Sequence, residues 1–431
     1  MALRILLSST LRWPIAARLA IAFNKLGCHV DALCPLPHVL SRITAVQQIF
    51  AYKMLRPLAS LHAAISTASP DLIVPCDDWA AVDLHRLHHT LSVTHESKSA
   101  QRRTIERSLG SPAACSLATA RAPLLTWAAR AGVRTPKTSV INSAQDLNDW
   151  LARRGFPTVI KINNSWGGQG VSIVANHVEA QRAYHAVASR LPLWRGMCRS
   201  LVQRDASIIV NRIKQPRPLV TVQDYIPGRP ANRAVVCWQG EVLAGLSVEA
   251  VHTVHATGPA TVVRIIKNSE MDEAGERLVR GLGLSGFWGL DFILEANTAA
   301  AYFIEMNPRA TPICHLSLGA GQDLPAALCA RLMDVNPVAT VSPLITEQSV
   351  ICLFPGEWQR NPSSEYLRSA YHDIPWEEPE LVRDGLNIPW SERGLLACGL
   401  ARIRAATNSV AWSGAAAVSR TLTNSASKYV R

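Results

Sequence analysis

The chain has 431 residues, 48% of them hydrophobic and 18% charged, enough to bury a large core and inconsistent with a disordered chain. Its 44 Lys and Arg against 32 Asp and Glu leave a net charge of +12, which favours anionic ligands. The basic residues are scattered, however, and no helix-turn-helix or zinc-finger spacing occurs, so nucleic acid is not an expected partner.

No apolar stretch approaches the ~20 residues needed to span a bilayer. Arg12, Arg18 and the Asn24-Lys25 pair are incompatible with a signal peptide. The ten cysteines include no C-x-x-C pair and sit mostly among apolar neighbours, as buried thiols do. These features predict a cytoplasmic protein with no membrane partner.

In chain order, residues 3–8 read as a buried strand, 13–26 as an amphipathic helix stopped by Gly27, and 28–33 as a second strand. Residues 70–76 read as a third strand after another helical stretch. Strand–helix alternation predicts a parallel sheet. The first turn, Ser8-Ser9-Thr10, lacks the G-x-G-x-x-G of a dinucleotide site. Asp77 and Asp78 lie at the carboxyl end of the third strand, either as functional groups or as a cap for the helix that follows. His85, His88 and His89 share a helical stretch without an H-E-x-x-H pattern, so a metal site there is disfavoured.

A helix is predicted over 118–132 and a second over 143–154, with Ser143 as its cap. The strand 156–162 carries Lys161 in its apolar body, a costly placement unless the ammonium meets an anion. Directly after it, Gly167, Gly168 and Gly170 form a turn able to bring backbone N–H groups up to a phosphate. Residues 218–228 form a strand that ends at Pro227-Gly228, followed by a hairpin of 232–238 with 241–249, a strand over 261–266 and a helix over 270–282.

The runs 289–294 and 302–309 then read as a half-buried hairpin. Adjacent antiparallel strands would gather Asp291, Glu305 and Asn307, and period-2 geometry puts Glu305 and Asn307 on one face. Two carboxylates and an amide oxygen are hard donors suited to Mg²⁺. A helix over 324–333 follows. Beyond about residue 335 the signals weaken to an edge strand over 351–355 and a proline-punctuated loop over 374–379.

Lys161, the Gly167-Gly168-Gln169-Gly170 turn, the Gln223-Asp224-Tyr225-Ile226-Pro227-Gly228 strand end, Asp291 and Glu305-Met306-Asn307-Pro308-Arg309 stand in the order seen in the ATP-grasp superfamily. Over roughly residues 1–335 the chain resembles that family, nearest to the branch of the carbamoyl-phosphate synthetase large subunit and biotin carboxylase. The resemblance implies an α/β and α+β chain. A Rossmann-like domain (1–115) would precede an ATP-grasp domain (116–335) with a lid over about 136–222, a hinge over about 223–228 and a metal-site hairpin at 289–309. A C-terminal extension with a frayed tail (336–431) would complete it.

It further implies that Lys161, Arg121 and the glycine turn hold the phosphates of ATP, with Gln223, Asp224, Tyr225 and Ile226 as the adenine-reading hinge. Asp291, Glu305 and Asn307 would hold one or two Mg²⁺ (or Mn²⁺) ions. Arg309 would meet the transferred phosphate or the substrate carboxylate. Relatives place an acid after the hinge glycine for ribose, where this chain has Arg229-Pro230-Ala231-Asn232. The implied activity is an ADP-forming ligase joining a small-molecule carboxylate to an amine or similar nucleophile through an acyl phosphate. The alternatives are a bicarbonate-using carboxylase or carbamoyl-phosphate-synthetase-like enzyme, or a non-catalytic ATP-binding protein. A homodimer is compatible with the family. Arg264, Thr311 and His315 lie close enough in sequence to the site to be candidates for substrate contact, with a packed histidine the simpler reading of His315.

Overall fold

The computed structural model describes residues 2–93, 100–162, 170–188, 219–318, 322–336 and 349–386. The N-terminal sheet is fully parallel, in the order β3-β2-β1-β4. Its strands are β1 (Arg4–Ser8), β2 (His29–Cys34), β3 (Gln48–Ala51) and β4 (Leu72–Pro75), with helices α1 (Ile15–Lys25), α2 (Pro57–Ala68), α3 (Asp78–Val93) and α4 (Ala100–Leu109). The short strand β3 is absent from the sequence reading because none of its residues is fully buried, so it carries no apolar signal. Alternation along β1 explains how the sheet is used. Leu6 packs with Leu61, Ile65 and Leu84 of α2 and α3, while Ile5 and Leu7 join a core that also holds Ala234, Val236 and Leu246 of the largest sheet.

The predicted helix over 118–132 is α6 (Arg121–Arg130), and a separate short helix, α5 (Pro112–Ala118), precedes it. Pro123 has no N–H to give a continuous helix, and restarting at Arg121 leaves it in a first turn, where none is needed. A four-stranded sheet of order β5-β8-β6-β7 follows, from β5 (Thr138–Ile141), β6 (Thr158–Ile162), β7 (Val171–Val174) and β8 (Val220–Asp224). It is covered by α7 (Ala144–Arg154) and α8 (His177–Ala188), with Leu147, Trp150, Ile160 and Val222 in its core. Ser143 caps α7 as expected, in a capping box with Asp146.

The largest sheet has the order β13-β12-β9-β10-β11-β14-β15 and is antiparallel except for its last pair. It comprises β9 (Gly228–Trp238), β10 (Glu241–Thr253), β11 (Ala260–Ile265), β12 (Gly286–Glu295), β13 (Ala301–Asn307), β14 (Val350–Leu353) and β15 (Tyr371–Asp373). One face packs on α6 and α9 (Ser269–Leu282) through Val235, Trp288 and Phe292, and the other meets the N-terminal sheet and α10 (Leu324–Met333). β14 is not the edge strand expected, because β15 pairs beyond it.

Short helices α11 (Gly356–Arg360), α12 (Tyr366–Ser369) and α13 (Pro379–Leu386) complete the described chain. This C-terminal segment is tied to the N-terminal unit. Glu378 accepts from the Thr44 and Ala45 N–H groups, Lys25 pairs with Glu377 at 2.6 Å, and Arg18 pairs with Asp373. The frayed tail expected at the C-terminus lies outside the described residues, as do Gly167, Gly168 and Gln169. Among the described residues no helix is long and apolar enough to cross a membrane, and all eight cysteines are buried free thiols.

Asp77 locks the turn between β1 and α1. Its fully buried carboxylate accepts from the N–H groups of Thr10 (2.6 Å), Leu11 (3.1 Å) and Ala80 (2.9 Å) and from the Thr10 hydroxyl (2.8 Å). The bond to Ala80 is the capping role; the rest is a tie between two strand ends. Asp77→Ala leaves buried donors unpaired and should destabilise the protein by about 3 kcal/mol, against about 1 kcal/mol for Thr10→Val. Urea unfolding of the two variants checks the ratio.

Candidate functional site

The hairpin of β12 and β13 sets the geometry. Asp291 is paired in register with Glu305, and Gly289 with Asn307. A bulge between Asp291 and Phe292 lets Phe303 stay packed against Phe292 in the core while Glu305 turns to the other face. Directly opposed side chains in such a pair stand about 5 Å apart at Cβ, so two carboxylates repel unless compensated. Asp291 accepts from Nδ2 of Asn232 at 2.6 Å and from Nδ2 of Asn307 at 2.9 Å. Burial foremost, and then the neighbouring Glu305, push its pKa upward against these hydrogen bonds.

Three cations converge on this pair from other parts of the chain. Arg121, at the start of α6, donates from Nη2 to Glu305 at 2.6 Å and from Nη1 to the Ile162 carbonyl at 3.1 Å, bridging the hairpin to the end of β6. Lys161, buried on β6, donates to Oε1 of Gln223 at 2.7 Å, and Nε2 of Gln223 donates to Thr138 at 2.9 Å. Burial chiefly, with Arg121 adding to it, lowers the Lys161 pKa to about 8, while Glu305 and Asp291 oppose the shift. Arg309 lies over the Trp13 ring, 4.9 Å from its centroid, with Nε 3.1 Å from Asp78, off the line of a hydrogen bond. Its Nη2 reaches Oδ1 of Asn307 at 3.4 Å.

Residues 225–227 join β8 to β9. Thr158 accepts from the Trp150 indole and donates to the Gln223 carbonyl, and the Asp224 carboxylate turns away to Arg154. The Asp224 N–H donates to the Lys137 carbonyl at 3.0 Å. Tyr225 and Ile226 are half-buried. At Gly228 a Cβ would come within 2.1 Å of the Leu294 carbonyl oxygen, which fixes glycine where β9 first closes on β12.

The structure therefore brings together Arg121, Lys161, Gln223, Asp291, Glu305, Asn307 and Arg309 from five segments. Gly170 adopts a positive φ beside Ile162. Other candidates fall elsewhere. Arg264 and Arg229 both pair with buried Glu249, and His315 Nε2 lies 2.9 Å from Asp373 as a packed histidine. His88 meets Glu106 and Arg102. An open groove of about 520 Å³ beside α6 and β5 is lined by none of the clustered charges.

Asn232, Asp78 and Trp13 complete the cluster. Asn232 faces Asp291 in register, a relation readable only once the strand pairing is known. Trp13 precedes α1 and Asp78 opens α3, both in the N-terminal unit.

Among the described residues no group of three His, Cys, Asp or Glu side chains is placed to hold a metal. A Mg²⁺ site does not require one, because that ion keeps waters and takes one or two carboxylates together with substrate phosphates. Two opposed, partly uncompensated carboxylates beside an amide fit such an ion.

A four-stranded sheet with a buried lysine thus adjoins a larger antiparallel sheet that carries the paired acids. Residues 124–312 match the model of the ATP-grasp domain. Over the middle of its length, the chain thus matches an ATP-grasp domain.

It is 23% identical over 308 residues to a formate-dependent phosphoribosylglycinamide formyltransferase of Synechococcus sp. (strain CC9311), covering 68% of this chain and 67% of that one. It is 22% identical over 203 residues to a carbamoyl phosphate synthase large chain of Kocuria rhizophila, covering 47% of this chain and 16% of the other. The fold is that of N5-carboxyaminoimidazole synthetase from Staphylococcus aureus complexed with ADP (TM-score 0.57, 13% identity, 81% and 82% coverage). The biotin carboxylase domain of a 2-oxoglutarate carboxylase from Hydrogenobacter thermophilus, a dimer with MgADP, is comparable (TM-score 0.56, 16% identity, 80% and 73% coverage).

Gly289 offers a test of the packing beneath the acids. A Cβ there would meet Cγ2 of Thr311 at 2.2 Å, and Thr311 is buried and within 3.3 Å of Asn232. Gly289→Ala should cost about 1–3 kcal/mol. Adding Thr311→Ser, which removes only that methyl, should recover most of the loss in a double-mutant cycle of thermal unfolding.

Proposed function

We propose that this protein uses ATP with Mg²⁺ or Mn²⁺ to activate a small-molecule carboxylate as an acyl phosphate, which an amine or similar nucleophile then attacks, releasing ADP and phosphate. The observation that carries the reading is the convergence of Arg121, Lys161 and Arg309 on the Asp291–Glu305 pair. Joining two anions, a carboxylate and a terminal phosphate, requires their charge to be neutralised in place.

Lys161, freed from Gln223, would hold the phosphates with Arg121, and Gly170 and its preceding glycines would approach them from above. The Asp224 carbonyl and the Ile226 N–H would read the adenine edge. Asp291, Glu305 and Asn307 would hold the ion, which supplies further neutralisation of the transferred phosphoryl group. Arg309 would orient the attacking carboxylate. Arg121, paired with Glu305 here, would turn to the phosphate and leave that carboxylate to hold the ion. The cytoplasm, small-molecule partners and a homodimeric assembly are compatible with this reading, and the family's use of ATP and magnesium supports it.

Two outcomes test it. Incubation with ATP, Mg²⁺ and pools of carboxylates and amines should yield ADP and phosphate, and Glu305→Gln should abolish that turnover while leaving circular dichroism unchanged. AMP and pyrophosphate as products would overturn the acyl-phosphate route.

The second outcome concerns pH. Lys161, with its pKa near 8 in the free protein, is protonated below that value, and a polyphosphate favours the protonated form. Binding above pH 8 must then take up a proton. ATP affinity should therefore fall as pH rises through 8, by up to about tenfold per unit, with no slope from this group below it. In Lys161→Arg the slope should disappear, as read by calorimetry.

A further inference from the structure

An ionised carboxylate only accepts hydrogen bonds, at about four positions shared by its oxygens. On Asp291 the protein fills one position on each oxygen. Nδ2 of Asn232 donates to Oδ1 at 2.6 Å, and Nδ2 of Asn307 donates to Oδ2 at 2.9 Å. The carboxylate is gripped from both sides, and each oxygen keeps capacity for a further ligand.

An amide makes this grip in only one of its two orientations. Turned over, Asn232 would set its own oxygen against the carboxylate, acceptor against acceptor. What selects the orientation lies behind it. The Thr311 hydroxyl donates to Oδ1 of Asn232 at 3.3 Å, and Nδ2 also reaches the Leu290 carbonyl at 3.4 Å. Thr311 is buried, and its N–H donates to Cys314 Sγ at 3.1 Å. Its methyl occupies the space that a side chain at Gly289 would need. Gly289 is therefore what lets a buried hydroxyl reach the amide.

We infer that Thr311 and Asn232 are positioning residues for the divalent ion: a relay from the Thr311 hydroxyl through the Asn232 amide fixes the orientation of Asp291. The inference rests on the metal assignment above and extends it to two uncharged residues that supply no ligand atom. A ligand carboxylate free to rotate loses that freedom when the ion arrives, and a grip made in advance removes the cost.

The test uses the full-length protein with the non-hydrolysable analogue AMP-PNP and Mn²⁺ as probe, titrated by electron paramagnetic resonance. Asn232→Ala should weaken Mn²⁺ binding about tenfold or more, and Thr311→Val about three- to tenfold. Thr311→Ser, which keeps the hydroxyl, should stay within about twofold of the unsubstituted protein. Thr311→Ala is a second hydroxyl-free variant and should match Thr311→Val; thermal unfolding verifies that each is folded. In the Asn232→Ala background, Thr311→Val should have no further effect, because the relay is already cut. A packing defect alone would weaken binding equally in both backgrounds.

Undiminished Mn²⁺ affinity in the hydroxyl-free variants, or an equal loss in both backgrounds, overturns the relay and leaves the ligase reading in place. Absence of saturable Mn²⁺ binding by the unsubstituted protein overturns the metal assignment and the relay with it.

Discussion

The opposition of Asp291 and Glu305 across one strand pair is the constraint around which the site is built. At about 5 Å and an effective dielectric of about 20, two such charges repel by about 3 kcal/mol, a substantial fraction of a domain's net stability. The chain meets that demand from four directions: Asn232 and Asn307 donate to Asp291, Arg121 pairs with Glu305, and Lys161 lies close enough for both acids to raise its pKa. Each compensating group comes from a different element. The acids therefore act as a registration mark that aligns α6, β6, β9 and β13.

Several parts of this arrangement were legible in the sequence for physical reasons. Lys161 is conspicuous because an ammonium in an apolar strand needs a partner, and the hairpin acids because strand periodicity places Glu305 and Asn307 on one face. The hairpins, the helix over 324–333 and the cap at Ser143 follow from local pattern alone, and the structure places them where the pattern does. The missed pieces depend on long-range pairing. Strand β3 has no buried residue, and Asn232 gains its meaning only opposite Asp291. Asp78 stands out in the sequence at the end of its strand, but its contact with Arg309, and that of Trp13, join distant parts of the chain that no local window contains.

The two units bracketing the site differ in how firmly they are held. The N-terminal sheet shares a continuous apolar core with the largest sheet and supplies Trp13 and Asp78 directly to Arg309. The β5–β8 sheet has a core of its own, and polar contacts such as Arg121 with the Ile162 carbonyl join it to the hairpin. Polar contacts exchange for ligand contacts more readily than an apolar core separates.

The bond between Arg18 and Asp373 spans 355 residues of chain. Arg18 leaves the ribosome early, and its counter-charge is synthesised roughly 20–70 s later at ordinary translation speeds. Thr44 and Ala45 wait similarly for Glu378. During that interval the first-made unit has these polar anchors without their final partners. The N-terminal unit therefore gains its last polar ties only once residue 378 has been made.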